Sequence, residues 1–348
     1  MTTPESCATI ISQIKEHIPG NPDLIPAYFA DLLHDYSHHP CFKEILAGIT
    51  LLSVQSCSHT EFQALLSQVS HPEKIVQTVL DLVHSSLENK NIKMAESELS
   101  YILPYAESSD GNDGDIEYVS FRDFIEYAYY VAYQNPDLEL PVHPYLGTDI
   151  LFHQGKLCAI KGERDDAYKI FHRLSHISPA NAAILCELAE LYRGDGNLAA
   201  FRDTILLCFK YAWKPDELAQ AYRNMGYYFT EMKDYTGAVT CYLMGSTWED
   251  SQAAARELAY IKDQSGKDTD VSYILSHGRE ILTERDVPFG PNQEMIELMV
   301  RYADECKEEG DFFEARKYLS RAKALELSDA LEREIEVIER FIEDNTIF

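Results

Sequence analysis

Positively charged side chains are scarce in this sequence of 348 residues. Lys and Arg together number 30 against 58 Asp and Glu, which gives a formal net charge of −28. A chain this acidic repels polyphosphate and anionic lipid, so we expect neither nucleic acid nor a membrane surface as its partner. The acidity serves either solubility or the selection of a basic protein partner.

Long apolar runs are also missing, since none approaches the roughly 18 residues that span a bilayer. The opening MTTPESCATIISQIKEHIPG has no basic segment followed by an apolar core and a cleavage site. The eight cysteines include no CxxC pair, and most lie in apolar helical stretches. We therefore expect a cytoplasmic protein whose thiols are small, buried and reduced.

Enzyme signatures are missing as well. The sequence has no GxxxxGK[ST] loop for a nucleotide phosphate, no GxSxG turn for a nucleophile and no HExxH pair for a catalytic zinc. We expect no catalysis and no cofactor. An enzyme with its site in the amino-terminal helices is the alternative, and converging titratable groups in a cleft would identify it.

Two features could hold a metal ion, and neither is complete. Aligning Gly114 of DGNDGDIEY with the glycine of a calcium loop puts Ser109, Gly111 and Ser120 at positions that need strong oxygen ligands. The other feature is a pair of histidines one helical turn apart, found as His34 with His38 and as His172 with His176. Each pair lacks an obvious third ligand, so we expect no bound metal.

What the sequence does contain is one spacing that recurs three times. Small residues lie twelve apart and a bulky residue follows four later, in Gly226, Ala238 and Tyr242, in Gly155, Ala167 and Phe171, and in Ala303, Ala315 and Leu319. Gly226 lies 71 residues after Gly155. This distance is three residues more than two units of 34 residues, a period typical of repeated helix hairpins. A glycine inside a helix costs about 1 kcal/mol relative to alanine, so a close helix crossing with Gly226 opposite Ala238 is the expected reason for it.

The sequence resembles the tetratricopeptide repeat family in these positions. The clearest copy has Tyr222, Met225, Gly226, Phe229, Ala238 and Tyr242, and a second has Leu151, Gln154, Gly155, Cys158, Ala167, Phe171 and Pro179. Weaker copies start at Val79, at Leu185 and at Met299, and in the Leu185 copy Phe201 stands where a small residue is due. The stretch 253–295 is too irregular to assign. The resemblance implies an all-α fold, an α-α superhelix or solenoid of antiparallel helix hairpins.

Breaks in the pattern suggest four regions. Residues 1–109 form an amino-terminal helical region, 110–147 hold an acidic loop, a Tyr-rich helix and a proline-containing link, 148–329 form the repeat array, and 330–348 form a capping helix. The Tyr-rich segment FIEYAYYVAY is apolar nearly all round, which favours burial over a recognition surface.

In the family, the first helices of successive hairpins line a groove for peptides or partner proteins. The resemblance places the following residues in that groove: Phe152, Lys156, Cys186, Glu190, Gln220, Arg223, Tyr227 and Thr230. A chaperone carboxylate clamp is not expected, because Phe152 and Glu190 occupy two of its positions and only Arg223 and Asn224 stand near suitable ones.

Arg223 and Tyr227 are the predicted anchors of a partner, because Arg and Tyr are enriched among residues that dominate interfaces. The alternative is that Arg223 pairs with a surface carboxylate and Tyr227 covers a neighbouring hairpin. The expected function is a scaffold or adaptor that binds a protein or peptide, and a peptide-sensing regulatory receptor is the alternative to it.

Overall fold

The computed structural model describes residues 6–109, 118–137, 139–265, 270–326 and 328–346. These residues form eighteen α-helices, one 3-10 turn and two strands of two residues each. The fold class is therefore all-α, as predicted. The acidic loop and its calcium alternative involve residues 110–117, which lie outside the described residues.

The elements up to the middle of the chain are α1 (Cys7–Glu16), the 3-10 turn Pro22–Leu24, α2 (Ile25–Asp35), α3 (Phe42–Ser56), α4 (His59–Gln68), α5 (Pro72–Glu88), α6 (Ile92–Ser109), β1 (Val119–Ser120), α7 (Phe124–Tyr133), β2 (Val142–His143) and α8 (Tyr145–Lys161). Those that follow are α9 (Arg164–Ile177), α10 (Ala182–Gly194), α11 (Leu198–Tyr211), α12 (Pro215–Glu231), α13 (Tyr235–Gly245), α14 (Gln252–Ser265), α15 (Val271–Thr283), α16 (Gln293–Glu309), α17 (Phe312–Leu325) and α18 (Asp329–Thr346). β1 and β2 pair in parallel.

Local chemistry marks many of the helix ends. Ser58 and Glu61 form a reciprocal capping box at the start of α4, and the side chain of Asn181 accepts hydrogen bonds from the first amides of α10. Gly162 and Gly310 end α8 and α16 with φ of 80° and 84°, a left-handed conformation that costs glycine little. Because each signal acts within one turn of the chain, the sequence could predict these boundaries.

Contacts divide the chain into two units. The first unit consists of residues 1–117 and 144–170, and the second of residues 118–143 and 171–348. This division differs from the predicted regions at two places. Helix α8 packs on α5 and α6, so it extends the first unit, whereas α7 packs on α16 and belongs to the second.

In the described residues of the first unit, six α-helices precede α8, in agreement with the predicted helical region, and α5 and α6 form its most closely packed hairpin. Its core consists of fully buried side chains that include Phe29, Ile45, Ile49, Phe62, Leu65, Val79 and Leu99.

Two cysteines of the first unit correct the prediction of uniformly reduced thiols. Cys7 and Cys41 form a disulfide, which joins the start of α1 to the residue before α3. Cys158 is only half-buried. The other five free cysteines are buried as predicted, and burial raises the pKa of the Cys57 thiol to about 11. No sequence pattern indicated the disulfide, because its cysteines are 34 residues apart and meet only through the packing of α1 on α3.

The second unit consists largely of helix hairpins that pack on their neighbours in sequence, as in a helical solenoid. The closest pairs are α10 with α11, α12 with α13, and α16 with α17. Residues 253–295, left unassigned by the sequence pattern, contain α14 and α15, and α15 packs on α13. Phe201 is fully buried in the core, so the copy with the slipped register still forms a hairpin.

Gly226 is buried inside the α12–α13 hairpin, and the atoms nearest to the position of its missing Cβ belong to Tyr242. A Cβ at Gly226 would lie 2.9 Å from two ring carbons of Tyr242. At Gly245 of the same hairpin, a Cβ would lie 3.1 Å from the carbonyl oxygen of Ala219. Gly226 therefore makes room for the aromatic ring of Tyr242 inside the predicted hairpin.

Among the described helices, none has both the length and the apolarity that a membrane span requires.

An ion pair joins the α12–α13 hairpin to the residues that follow α15. The Asp234 carboxylate accepts hydrogen bonds from Arg285 Nε at 2.6 Å and Nη2 at 3.0 Å, and it caps α13 by accepting from the Gly237 amide at 3.1 Å. Burial alone would raise the pKa of Asp234, but the hydrogen bonds from Arg285 and Gly237 outweigh it and lower the pKa.

We expect Asp234→Asn to reduce the free energy of unfolding by about 1 kcal/mol at pH 7, because asparagine retains the cap but not the charge. A carboxyl whose pKa is lowered by folding stabilises the protein above its unfolded pKa, and this contribution is lost as the pH falls. Urea unfolding of both proteins between pH 7 and pH 3 should show the difference shrinking below about pH 4. A difference that stays constant with pH would contradict a role for the charge.

Candidate functional site

Two of the eight predicted groove residues belong to the first unit. Phe152 and Lys156 are half-buried on α8, one helical turn apart, and the Lys156 ammonium lies 5.5 Å from the centre of the Phe152 ring. The other six predicted residues lie in the second unit.

Cys186 and Thr230 are buried, which corrects their assignment to a surface that meets a partner. Cys186 Sγ lies 3.3 Å from Cys208 Sγ, and the Thr230 hydroxyl donates to the Gly226 carbonyl oxygen at 2.9 Å. Both side chains point into the packing between paired helices, so the register carried over from the family is wrong at these two positions.

The remaining four, Glu190, Gln220, Arg223 and Tyr227, are half-buried on α10 and α12. Arg223 Nη1 donates to Glu249 Oε2 at 2.7 Å. Arg193 pairs with Glu190, and its guanidinium lies 4.8 Å from the centre of the Tyr227 ring. The contacts of the alternative interpretation are thus present: Arg223 pairs with a carboxylate, and Tyr227 packs against a neighbouring hairpin.

Sequence reasoning missed a cluster of buried charges that fixes α7 in the second unit. Glu126 is completely buried, and its carboxylate accepts hydrogen bonds from Arg122 Nε at 2.6 Å and from Trp213 Nε1 at 2.9 Å. Arg122 Nη1 also donates to Glu217 Oε1 at 2.5 Å. We call Arg122, Glu126, Trp213 and Glu217 the Arg122 cluster. A carboxylate in the apolar stretch FIEYAYYVAY was the signal that could have revealed it.

Burial raises the pKa of Glu126, and the charge and hydrogen bonds of Arg122, together with the Trp213 indole, oppose that rise. Two carboxylates share the Arg122 guanidinium here, so removal of Arg122 would leave both of them without that cation. The cluster holds the start of α7 against the start of α12.

The far part of α7 is fixed by a hydroxyl network. Burial raises the pKa of Tyr129 to about 12, so its hydroxyl keeps its proton. The hydroxyl donates to Glu294 Oε2 at 3.0 Å and accepts from Asn292 Nδ2 at 2.9 Å. At the start of α7, Phe124 stacks on Tyr302 with ring centres 4.3 Å apart. Helix α7 buries one face, with Ile125, Glu126 and Tyr129, whereas Phe124 and Tyr133 are exposed, so the predicted burial is correct for one face only.

A cleft of about 450 Å³ opens in the second unit, between the end of α13, the linker from α15 to α16, and the end of α17. Its walls include Met244, Trp248, Arg279, Phe289, Leu325 and Glu326. We call it the aromatic cleft. None of the eight predicted residues lines it, because its walls come from hairpin ends and a linker, to which the repeat pattern assigns no positions.

Tyr222 holds two walls of the aromatic cleft in place. Its ring stacks parallel to that of Trp248 with centres 5.5 Å apart, and its hydroxyl donates to the Pro288 carbonyl at 2.9 Å and accepts from the Gly290 amide at 2.7 Å. The indole of Trp248 donates to the Leu325 carbonyl at 3.1 Å. The cleft is therefore held by the same tyrosine that begins the clearest copy of the sequence pattern.

Arg279 provides the positive charge of the aromatic cleft. Its guanidinium lies 4.5 Å from the centre of the Phe289 ring, and its side chain is exposed. Within the described part of the chain it forms no hydrogen bond or ion pair, although acidic residues outnumber basic ones almost two to one. A guanidinium stacked on an aromatic ring keeps its edge available for a bidentate pair with a carboxylate.

Across the described ranges, no group of three or more His, Cys, Asp or Glu side chains is placed to hold a metal ion. No protein-family model matches the chain, and a search of curated proteins gives no significant match.

Proposed function

We propose that this chain is a non-catalytic scaffold or adaptor of degenerate tetratricopeptide-like hairpins, and that its aromatic cleft binds a peptide segment of a partner protein. The observation that carries the proposal is Arg279, stacked on Phe289 beside Trp248 and without an acidic partner among the described residues. Trp and Arg are among the residue types that dominate protein interfaces.

The chemistry of the aromatic cleft specifies the peptide. A volume of about 450 Å³ suits one or two side chains, and Met244, Trp248 and Phe289 offer them apolar surface. Arg279 suits a carboxylate next to that apolar group. The peptide therefore carries an apolar side chain followed or preceded by Asp, Glu or its own carboxyl terminus.

We further propose a cytoplasmic location, which five buried free thiols support. The Cys7–Cys41 disulfide is the opposite indication. Rapid alkylation of the protein as it is isolated, followed by mass measurement of the modified cysteines, decides between them. Alkylation of both Cys7 and Cys41 supports the cytoplasmic location, whereas an unmodified pair contradicts it.

Peptide selection from a random displayed library against the intact protein tests the function. We expect the selected peptides to share an acidic group beside an apolar residue. Peptides in which an amide replaces that acidic group should bind at least about tenfold more weakly. Arg279→Met should cause a similar loss, because methionine keeps contact with Phe289 but cannot pair with a carboxylate.

Arg301→Met is the matched control, since Arg301 is exposed on α16 and does not line the aromatic cleft. It should leave peptide affinity unchanged. Arg223→Ala and Tyr227→Ala distinguish the aromatic cleft from the predicted groove on α10 and α12. If these two variants lose peptide binding while Arg279→Met retains it, the peptide binds at the groove on α10 and α12. Failure to select any peptide would reject the proposed function.

A further inference from the structure

The first unit contains a larger cleft that the proposed peptide binding does not involve. It measures about 680 Å³ and lies between the end of α2, the start of α3, the end of α4 and the start of α5. Leu33 and Ile75 are buried in its walls, while His34, His38 and His71 are exposed there. We call it the histidine cleft. Its volume is in the range typical of small-molecule sites.

Positive and potentially positive groups gather in the histidine cleft against the trend of the whole chain. Three of the twelve histidines line it together with Lys74, while Asp31 is the carboxylate among the lining residues. The side chains of His34, His38 and Lys74 form no hydrogen bond or ion pair within the described residues. His71 pairs with Glu73, Nδ1 to Oε1, at 3.0 Å.

The backbone adds to this positive character. Helix α5 starts beside the histidine cleft at Pro72, and the His71 side chain at its N-cap does not cap the backbone amides of the first turn. The amino-terminal end of a helix carries partial positive charge. Ser37 and Ser70 also line the cleft and can donate to an oxyanion.

We propose that the histidine cleft binds a small amphipathic anion, an apolar body carrying one carboxylate or phosphate group. The apolar body packs on Leu33, Phe42 and Ile75, and the anionic group is held by Lys74 together with His34 and His38. A metal ion does not fit these observations, because the described residues place no third ligand with the His34 and His38 pair.

Three naphthalene compounds of one shape test the proposal by calorimetry on the full chain. Naphthoate and naphthyl phosphate are anions, and naphthalenemethanol is their neutral counterpart. We expect at least one anion to bind at least about tenfold more tightly than the neutral compound. The tighter anion identifies the head group. Equal affinity for all three, or no binding of either anion, would overturn the proposal.

The pH dependence of naphthoate binding supplies a second readout, because its carboxylate stays charged from pH 8 to pH 5.5. Histidine side chains gain positive charge over this range, whereas the lysine ammonium keeps its charge. Asp31 and Glu73 are the acidic groups near the head-group position, and the cleft walls from α3 and α4 carry no charge. Affinity should increase several-fold as the pH falls, and an affinity independent of pH would contradict the role of the histidines.

The combined variant His34→Gln, His38→Gln and Lys74→Met removes the positive groups while keeping side chains of similar size. All three residues are exposed, so we expect unchanged helicity and melting and a loss of anion affinity of at least about tenfold. His17→Gln with Lys43→Met is the matched control in the same unit, exposed and outside the histidine cleft. Retention of anion binding by the folded combined variant would reject the site.

Discussion

Arg122→Met should reduce the free energy of unfolding of the second unit by about 3–5 kcal/mol at pH 7, the largest loss that we expect from any single substitution. Arg122 pairs with two carboxylates, and Glu126 is completely buried while the Glu217 side chain is 5% exposed. Methionine fills similar space but leaves both carboxylates without their cation. Urea unfolding followed by circular dichroism measures the loss.

The pH dependence of this loss distinguishes lost charge pairing from lost packing. Without Arg122, burial favours the protonated form of Glu126 in the folded state, so its folded pKa rises above the unfolded one. Such groups destabilise the fold increasingly as the pH rises through the unfolded pKa. The difference between Arg122→Met and the wild type should therefore be smaller at pH 5 than at pH 8.

Two further variants serve as controls for Arg122. Adding Glu126→Gln and Glu217→Gln to Arg122→Met should recover part of the stability, because the amides carry no buried charge. Arg223→Met removes a more exposed pair, whose side chains are 22% and 46% exposed, and should cost no more than about 1 kcal/mol. Equal losses in Arg122→Met and Arg223→Met would show that burial of the charges has no special effect.

Gly226→Leu should lower the free energy of unfolding by about 3 kcal/mol, at the upper end of typical overpacking costs. Even a single methyl group at this position would lie 2.9 Å from the Tyr242 ring, which is 2% exposed and has little room to move. Thermal and urea unfolding measure the effect. An unchanged melting temperature would show that the hairpin does not need the glycine.

A pair of alanine variants separates the crowding of Gly226 by Tyr242 from the gain in helix propensity that any glycine-to-alanine change brings. Gly278 also lies inside a helix, but a Cβ there would make ordinary contacts at 3.5 Å with Phe289 and 3.8 Å with Thr240. Both alanines gain about 1 kcal/mol of helix propensity, so Gly278→Ala should stabilise the protein while Gly226→Ala should not. Tyr242→Leu should remove the penalty of Gly226→Ala, since the smaller side chain vacates the space that the ring fills.

The amino-acid sequence alone was sufficient to predict the all-α class and the hairpin pattern, and it contains the residues that cap many of the helices. Capping residues such as Asn181 and Asp234, terminal glycines such as Gly162, and the apolar periodicity act over three or four residues, which is the range within which a helix forms its hydrogen bonds. The apolar pattern of the Tyr-rich helix α7 indicated burial all round, but the structure buries only the face with Ile125, Glu126 and Tyr129.

The surfaces that these helices form depend on the packing of elements that lie far apart in the chain. Arg122 meets Glu217 across 95 residues and Tyr129 meets Glu294 across 165, so no local pattern encodes the docking of α7. The ring beside Gly226, the Cys7–Cys41 pair and the walls of both clefts likewise depend on how separate elements pack. A repeat pattern specifies which residues face a neighbour, whereas the identity of that neighbour depends on side-chain volumes and charges brought together from distant parts of the chain.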